Sequence, residues 1–94
     1  MTKIGKLLTD DELLAGLAEE CGELTQAALK LRRVLDGRNP TPVCYEDATE
    51  RLYEEVADVL LYVEELELNR GRVNRVMGEK RERWMNRMMK NDGT

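Results

Sequence analysis

Two pairs of acidic residues are spaced so that each pair places its carboxylates on one face of a helix. Glu20 and Glu23 form the first pair, and Glu55 and Asp58 form the second. A three-residue step brings two side chains to neighbouring positions on a helical surface. Carboxylate oxygens are ligands that suit Mg²⁺ and Mn²⁺. The two pairs are therefore candidate ligands for a divalent cation.

The length of chain between the pairs predicts that they face each other. Pro40 lies about midway between Glu23 and Glu55. An antiparallel fold-back at this point sets Glu20 beside Asp58. The same register sets Glu23 beside Glu55. Four carboxylates at one level would repel one another, and a divalent cation would relieve that repulsion. A solvated acidic helix face that binds nothing is the alternative interpretation.

Neighbouring residues on the same helices could complete such a site. Arg51 lies one turn before the second pair, where it could meet a phosphate or form an ion pair with Glu55. We favour the ion pair. Tyr62 lies one turn after the pair and could stack on a base or pack between helices. Gly16 and Ala27 flank the first pair and would leave room for a ligand.

Apolar periodicity predicts that three helices carry these residues. Thr9 and Glu12 fit a capping box at the start of the first helix, and Gly37 suits its end. The predicted helices cover residues 10 to about 36, about 45 to 69–71, and about 72 to 90. The predicted core-facing stripes are Leu14, Leu17, Cys21, Leu24, Ala28, Leu31 and Leu35, then Leu52, Val56, Val59, Val63 and Leu66.

Ninety-four residues make one small domain, residues 1–94, with frayed ends expected at 1–8 and 91–94. Its apolar residues are mainly Leu, Val, Ala and Met, and Phe is absent. Such a chain buries little core alone. We therefore expect an all-α fold, an antiparallel helical hairpin plus a third basic helix. This fold would complete a four-helix-bundle core by oligomerisation, as a homodimer or homotetramer.

Composition excludes several classes of protein. The chain has no His, which removes serine–histidine triads and the usual zinc and di-iron sites. The net charge of -4 argues against nucleic-acid binding, although residues 70–90 are basic. Cys21 and Cys44 lack metal or redox spacing, and Cys21 is interpreted as a buried apolar residue. Because no membrane-spanning run or signal peptide is evident, we expect a cytoplasmic protein.

The order of the motifs resembles the MazG-like all-alpha nucleoside triphosphate pyrophosphohydrolases, a family that includes dimeric dUTPases. The resemblance spans about Leu13 to Met89. It rests on EECGEL at residues 19–24 and EEVADVL at residues 54–60. A weaker match is KRER at residues 80–83, followed by Arg87. The spacer between the acidic motifs is longer, and the region before Leu13 shorter, than in many relatives.

The resemblance implies a Mg²⁺-dependent enzyme, with Mn²⁺ as a substitute, that splits a nucleoside triphosphate into a monophosphate and pyrophosphate. It implies that the metal is held by Glu20, Glu23, Glu55 and Asp58. It also implies that Lys80 and Arg83 bind phosphate oxygens. One of the four carboxylates, or Glu19 or Glu54 beside them, would accept the proton of the attacking water. The expected role is housecleaning of the nucleotide pool.

The main alternative is a non-catalytic helical interaction module that keeps the bundle. The two hypotheses predict different responses of the protein to metal. A true site should gain thermal stability with Mg²⁺ or Mn²⁺, whereas a solvated acidic face should hardly respond.

Overall fold

A computed structural model describes residues 7–37 and 44–91. Over these residues the chain forms three helices and no strand: α1 (Asp10–Asp36), α2 (Tyr45–Glu65) and α3 (Arg70–Asn91). The predicted all-helical class is confirmed. The predicted proline turn and most of the expected frayed ends lie outside the described residues. None of the helices in the described ranges is both long and apolar enough to cross a membrane.

Both ends of α1 follow the sequence prediction. The Thr9 hydroxyl accepts a hydrogen bond from the Glu12 backbone N–H at 3.1 Å. The Glu12 carboxylate accepts one from the Thr9 N–H at 2.9 Å. This capping box satisfies two backbone donors that the first turn leaves unpaired. At the other end Gly37 has φ 74, a left-handed conformation that glycine adopts without a Cβ clash.

The boundary between α2 and α3 differs from the prediction. Residues 69–71 were expected to end α2, but α2 ends at Glu65 and α3 begins at Arg70. The Asn69 side-chain oxygen accepts a hydrogen bond from the Arg72 N–H at 2.9 Å, so Asn69 caps the start of α3. Glu67, with φ 55, turns the chain just before it. The predicted boundary is wrong because residues 69–71, which resemble a helix end, here begin α3 with Asn69 as its N-cap.

Helices α1 and α2 pack against each other as an antiparallel hairpin. Gly16 lies against Tyr62, whereas Glu23 lies against Arg51, so the partner's number falls as the α1 number rises. The buried apolar residues of the seam include Leu13. The antiparallel hairpin and its predicted register are therefore present in the structure.

The face that α1 turns toward α2 is rotated from the predicted one. Leu13 and Ala27 are buried in the seam, but Leu14, Cys21 and Ala28 are exposed. The prediction assumed a single apolar stripe, whereas α1 carries a wide apolar arc. Helix α2 covers only one edge of that arc. The interpretation of Cys21 as a buried residue is wrong for the single chain.

The uncovered edge of the arc continues onto α2. We call this surface the apolar flank; it consists of Leu14, Cys21, Ala28 and Leu35 of α1 and Tyr53, Val56 and Leu60 of α2, all exposed. At about 100° per residue, both sets lie to the same side of the seam because the helices run antiparallel. Glu23 and Asp58 lie to the opposite side. The hairpin thus has one acidic flank and one apolar flank.

Helix α3 makes only marginal contact with the hairpin. Its described side chains are exposed except for Val73, which is partly buried. The radius of gyration is 17.3 Å. A compact domain of this length would have a radius of about 12 Å. Within the described part of a single copy, the apolar flank and α3 are therefore both uncovered.

Candidate metal centre

Three of the predicted ligands converge beside the seam of the hairpin. Glu20 comes from α1, and Glu55 and Asp58 come from α2. One carboxylate oxygen from each lies within 4.8 Å of the other two. Oxygens on opposite sides of an octahedral Mg²⁺ are about 4 Å apart. Small rotations of these side chains would therefore bring all three oxygens onto one ion.

Glu55 is the most buried of the three. Its side chain is 8% exposed, and its Oε1 accepts an ion-pair contact from Arg51 Nε at 2.8 Å. The other oxygen, Oε2, is buried and has no hydrogen-bond partner among the described residues. A buried, unpaired carboxylate oxygen is costly, because it has lost its water without gaining a donor. A cation would satisfy this oxygen, so it is a second indication of a site besides the clustering.

Glu20 is affected by the negative charge around it. Partial burial raises the pKa of its carboxyl above the ordinary value, and the following carboxylates raise it further: Asp58, Glu55, Glu19 and Glu23. Both causes disfavour the charged form of the side chain. A bound divalent cation would act in the opposite sense by stabilising the carboxylate.

Glu23 is not grouped with the other three. Its Oε2 accepts a hydrogen bond from Arg51 Nη2 at 3.3 Å. Arg51 therefore bridges Glu23 on α1 and Glu55 on α2. The ion pair that we favoured between Arg51 and Glu55 is confirmed. The contact to Glu23 was not predicted, although the register that sets Glu23 beside Glu55 contained the signal for it.

The space expected beside the first acidic pair is filled. A Cβ on Gly16 would lie 2.6 Å from the Tyr62 hydroxyl, so the Tyr62 ring occupies the room that the glycine leaves. Ala27 is buried in the seam. The structure thus favours the packing interpretation of Tyr62 over base stacking. The expectation that Gly16 and Ala27 leave room for a ligand is wrong, because helix packing uses that room.

The predicted phosphate ligands lie elsewhere. Lys80 and Arg83 are exposed on α3, where they border an open surface together with Met77 and Trp84. Of the described residues, those that line this surface all belong to α3. Within one chain, the structure does not bring Lys80 and Arg83 to the carboxylates.

The donor set fits a hard divalent cation. It is anionic, all-oxygen and partly buried, and Mg²⁺ or Mn²⁺ binds such ligands in preference to softer metals. Three carboxylates also leave coordination positions for water and for a ligand's oxygens. Comparisons of this chain with protein-family models, curated proteins and solved structures found no match.

Proposed function

We propose that this chain is a cytoplasmic, Mg²⁺-dependent nucleoside triphosphate pyrophosphohydrolase of the MazG-like type. It would release a nucleoside monophosphate and pyrophosphate, as part of nucleotide-pool housecleaning. One observation carries the proposal. The buried, unpartnered Oε2 of Glu55 lies in a cluster with the carboxylates of Glu20 and Asp58. The resemblance of the two acidic motifs to that family supports the choice of reaction.

The residues of the hairpin have the following roles in this proposal. Glu20, Glu55 and Asp58 hold the cation. Glu23, which shares Arg51 with Glu55, would serve as a further ligand. When bound, a divalent cation neutralises charge on phosphate oxygens and lowers the pKa of a coordinated water. Glu19 and the equivalent Glu54 are exposed beside the cluster. Either one, or one of the four clustered carboxylates, would accept the proton of the attacking water.

Helix α3 supplies the positive charge that a triphosphate requires. Residues 70–90 contain eight Lys or Arg residues and two Glu residues. Lys80 and Arg83 would bind phosphate oxygens through charge-assisted hydrogen bonds. Since α3 barely touches its own hairpin, this role requires α3 to approach the carboxylates in the assembled protein.

We propose that two copies join through their apolar flanks. Pairing two hairpins in this way gives four helices around a common core, the four-helix bundle expected from the sequence. The isologous contact makes a homodimer, and two such dimers would make a homotetramer. What supports this assembly is that the apolar flank includes side chains as exposed as Leu60, at 54%. Exposed apolar patches of this kind mark interaction surfaces.

Pyrophosphate release tests the proposed reaction. A panel of canonical and damaged nucleoside triphosphates is incubated with the protein and Mg²⁺. We expect Mg²⁺-dependent release from at least one of them. Asp58→Asn should lower that release at least about tenfold, the scale of loss when a metal site is disturbed. Glu50→Gln, which removes an exposed charge from the same helix, is the matched control and should be active. Equal activity in both variants would remove Asp58 from the site.

The exposed apolar residues also support a second candidate, the non-catalytic interaction module. Met77, Trp84 and Met88 of α3 are at least half exposed in a single chain. A partner helix could cover them without any chemistry at the carboxylates. This candidate predicts no pyrophosphate release from any nucleotide and no thermal stabilisation by Mg²⁺.

A further inference from the structure

The guanidinium of Arg51 has two partners in very different surroundings. On its inner side it contacts Glu55 Oε1 at 2.8 Å, and the Glu55 side chain is 8% exposed. On its outer side it contacts Glu23 Oε2 at 3.3 Å, where the Arg51 and Glu23 side chains are 52% and 42% exposed. The inner contact is short and sheltered. The outer contact is longer and open to water.

The difference in exposure determines which of the two Arg51 contacts another anion can displace. Exposed ion pairs are weak because water and salt screen them. A carboxylate buried against a guanidinium is held far more firmly, since separating the pair would leave a buried charge. The guanidinium can therefore release Glu23 while it keeps Glu55.

The inner contact also orients Glu55. Because Arg51 holds Oε1, the buried Oε2 is the oxygen left without a partner. The outer contact holds Glu23 Oε2, and Glu23 is not in the group of carboxylates that Glu20, Glu55 and Asp58 form. Arg51 thus presents one carboxylate to the cation and keeps another from it.

We propose that Arg51 is a positioning residue. Before the substrate binds, it leaves Glu20, Glu55 and Asp58 as ligands of the cation and withholds Glu23. An anionic phosphate oxygen of the substrate takes over the outer side of the guanidinium, for which phosphate is a good bidentate partner. Glu23 is then free to join Glu20, Glu55 and Asp58. This inference rests on the proposed function, because it assumes both the cation site and a polyphosphate ligand.

The first test measures Mn²⁺ binding to the full chain by titration calorimetry. Arg51→Met keeps the alkyl stem but removes the charge and frees Glu23. It should tighten Mn²⁺ binding roughly threefold to tenfold, because Glu23 then joins the ligands with no positive charge held beside it. Glu23→Gln alone should change the affinity less than about threefold, since its ion pair is exposed. In the double variant, which combines Arg51→Met and Glu23→Gln, the gain in Mn²⁺ affinity should disappear. Arg32→Met, on the exposed surface of α1, is the control and should bind like the wild type.

The second test measures binding of inorganic tripolyphosphate, which carries the substrate's charge without a nucleobase, at fixed Mn²⁺. Arg51→Met should weaken this binding at least about tenfold, because a charge-assisted contact is lost. Arg51→Lys should fall between Arg51→Met and the wild type in both tests. Opposite changes in cation and tripolyphosphate affinity are not expected from a residue that only supports the fold. Circular dichroism checks that each variant folds.

Three results would overturn the inference. They are Mn²⁺ binding no tighter in Arg51→Met, a gain that persists in the double variant, or unchanged tripolyphosphate binding. A wild type that binds no Mn²⁺ would overturn the proposed function as well. Mn²⁺ binding by the wild type together with any of the three results would overturn only the role of Arg51.

Discussion

Glu20 links the charge of the acidic cluster to the stability of the fold. Its pKa lies above the ordinary value of 4.5 because of partial burial and the neighbouring carboxylates. The folded state therefore binds more protons than the unfolded state at pH values just above 4.5. By linkage, the free energy of unfolding falls as pH rises through this window. At pH values below 4.5, Glu20 is protonated in the folded and the unfolded state alike. Its charge then no longer lowers the free energy of unfolding.

Glu20→Gln should remove the destabilisation that the charged Glu20 carboxylate causes in the folded state. With a chelator present, we expect the variant to be more stable than the wild type at neutral pH. The difference should shrink as pH falls below the ordinary glutamate pKa. Excess Mg²⁺ should reverse the order, because the amide is a poorer ligand and the variant loses stabilisation by the cation. Denaturant unfolding at several pH values measures both effects. A variant that is less stable than the wild type in chelator would contradict this account of Glu20.

At the scale of helices, the contact between Gly16 and Tyr62 sets how closely α1 and α2 approach. Gly22, in the same helix, has open space where a Cβ would be. Gly22→Ala should therefore stabilise the protein by about 1 kcal/mol through helix propensity alone. Gly16→Ala gains the same propensity but has to displace the Tyr62 ring, and overpacking costs about 1–3 kcal/mol.

We expect Gly16→Ala to be at least about 1 kcal/mol less stable than Gly22→Ala. Denaturant unfolding of the two variants gives this difference directly. Adding Tyr62→Ala to each variant should remove it, because the ring that causes the clash is gone. Equal stabilities of Gly16→Ala and Gly22→Ala in the original background would show that the ring does not limit the approach of the helices.

The elements were predictable where local chemistry determines them. Thr9, Glu12 and Gly37 carry cap signals that depend only on neighbouring residues, and both ends of α1 follow them. Asn69 carries a signal that is valid for either end of a helix, so its role depended on how the chain turns at Glu67. Periodicity found the helices, but it could not say which edge of a wide apolar arc would meet α2.

The same distinction applies to the candidate site. The equal spacing on either side of the turn predicted that Glu20 would meet Asp58, and the structure brings them together with Glu55. The burial of Glu55 was not predicted, because it depends on the rotation of α2 about its axis. The position of Arg51 one turn before Glu55 was visible in the sequence. Its second contact, to Glu23, requires the packed hairpin.

At the scale of the whole molecule, the exposed apolar flank predicts self-association. Leu60 lies on this flank, whereas the next residue, Leu61, points about 100° further around the helix. Their exposures in a single chain are nearly equal, 54% and 53%, so they form a matched pair. Leu60→Glu should place a charge inside the contact between copies and yield monomers. Leu61→Glu should leave the assembly intact.

Light scattering on a sizing column measures the mass of each variant. We expect the wild type and Leu61→Glu to have the mass of a dimer or tetramer, and Leu60→Glu that of a single chain. A monomeric wild type, or an assembled Leu60→Glu variant, would contradict the placement of the contact on the apolar flank.

Binding of a divalent cation by the three carboxylates is the claim on which the functional account depends. Titration calorimetry of Mn²⁺ into the full chain, wild type and Glu55→Gln, tests it most directly. We predict saturable binding to the wild type, weakened at least about tenfold in Glu55→Gln, and unchanged affinity in the Glu50→Gln control. Equal affinities in the wild type and Glu55→Gln, or no binding to the wild type, would contradict the account.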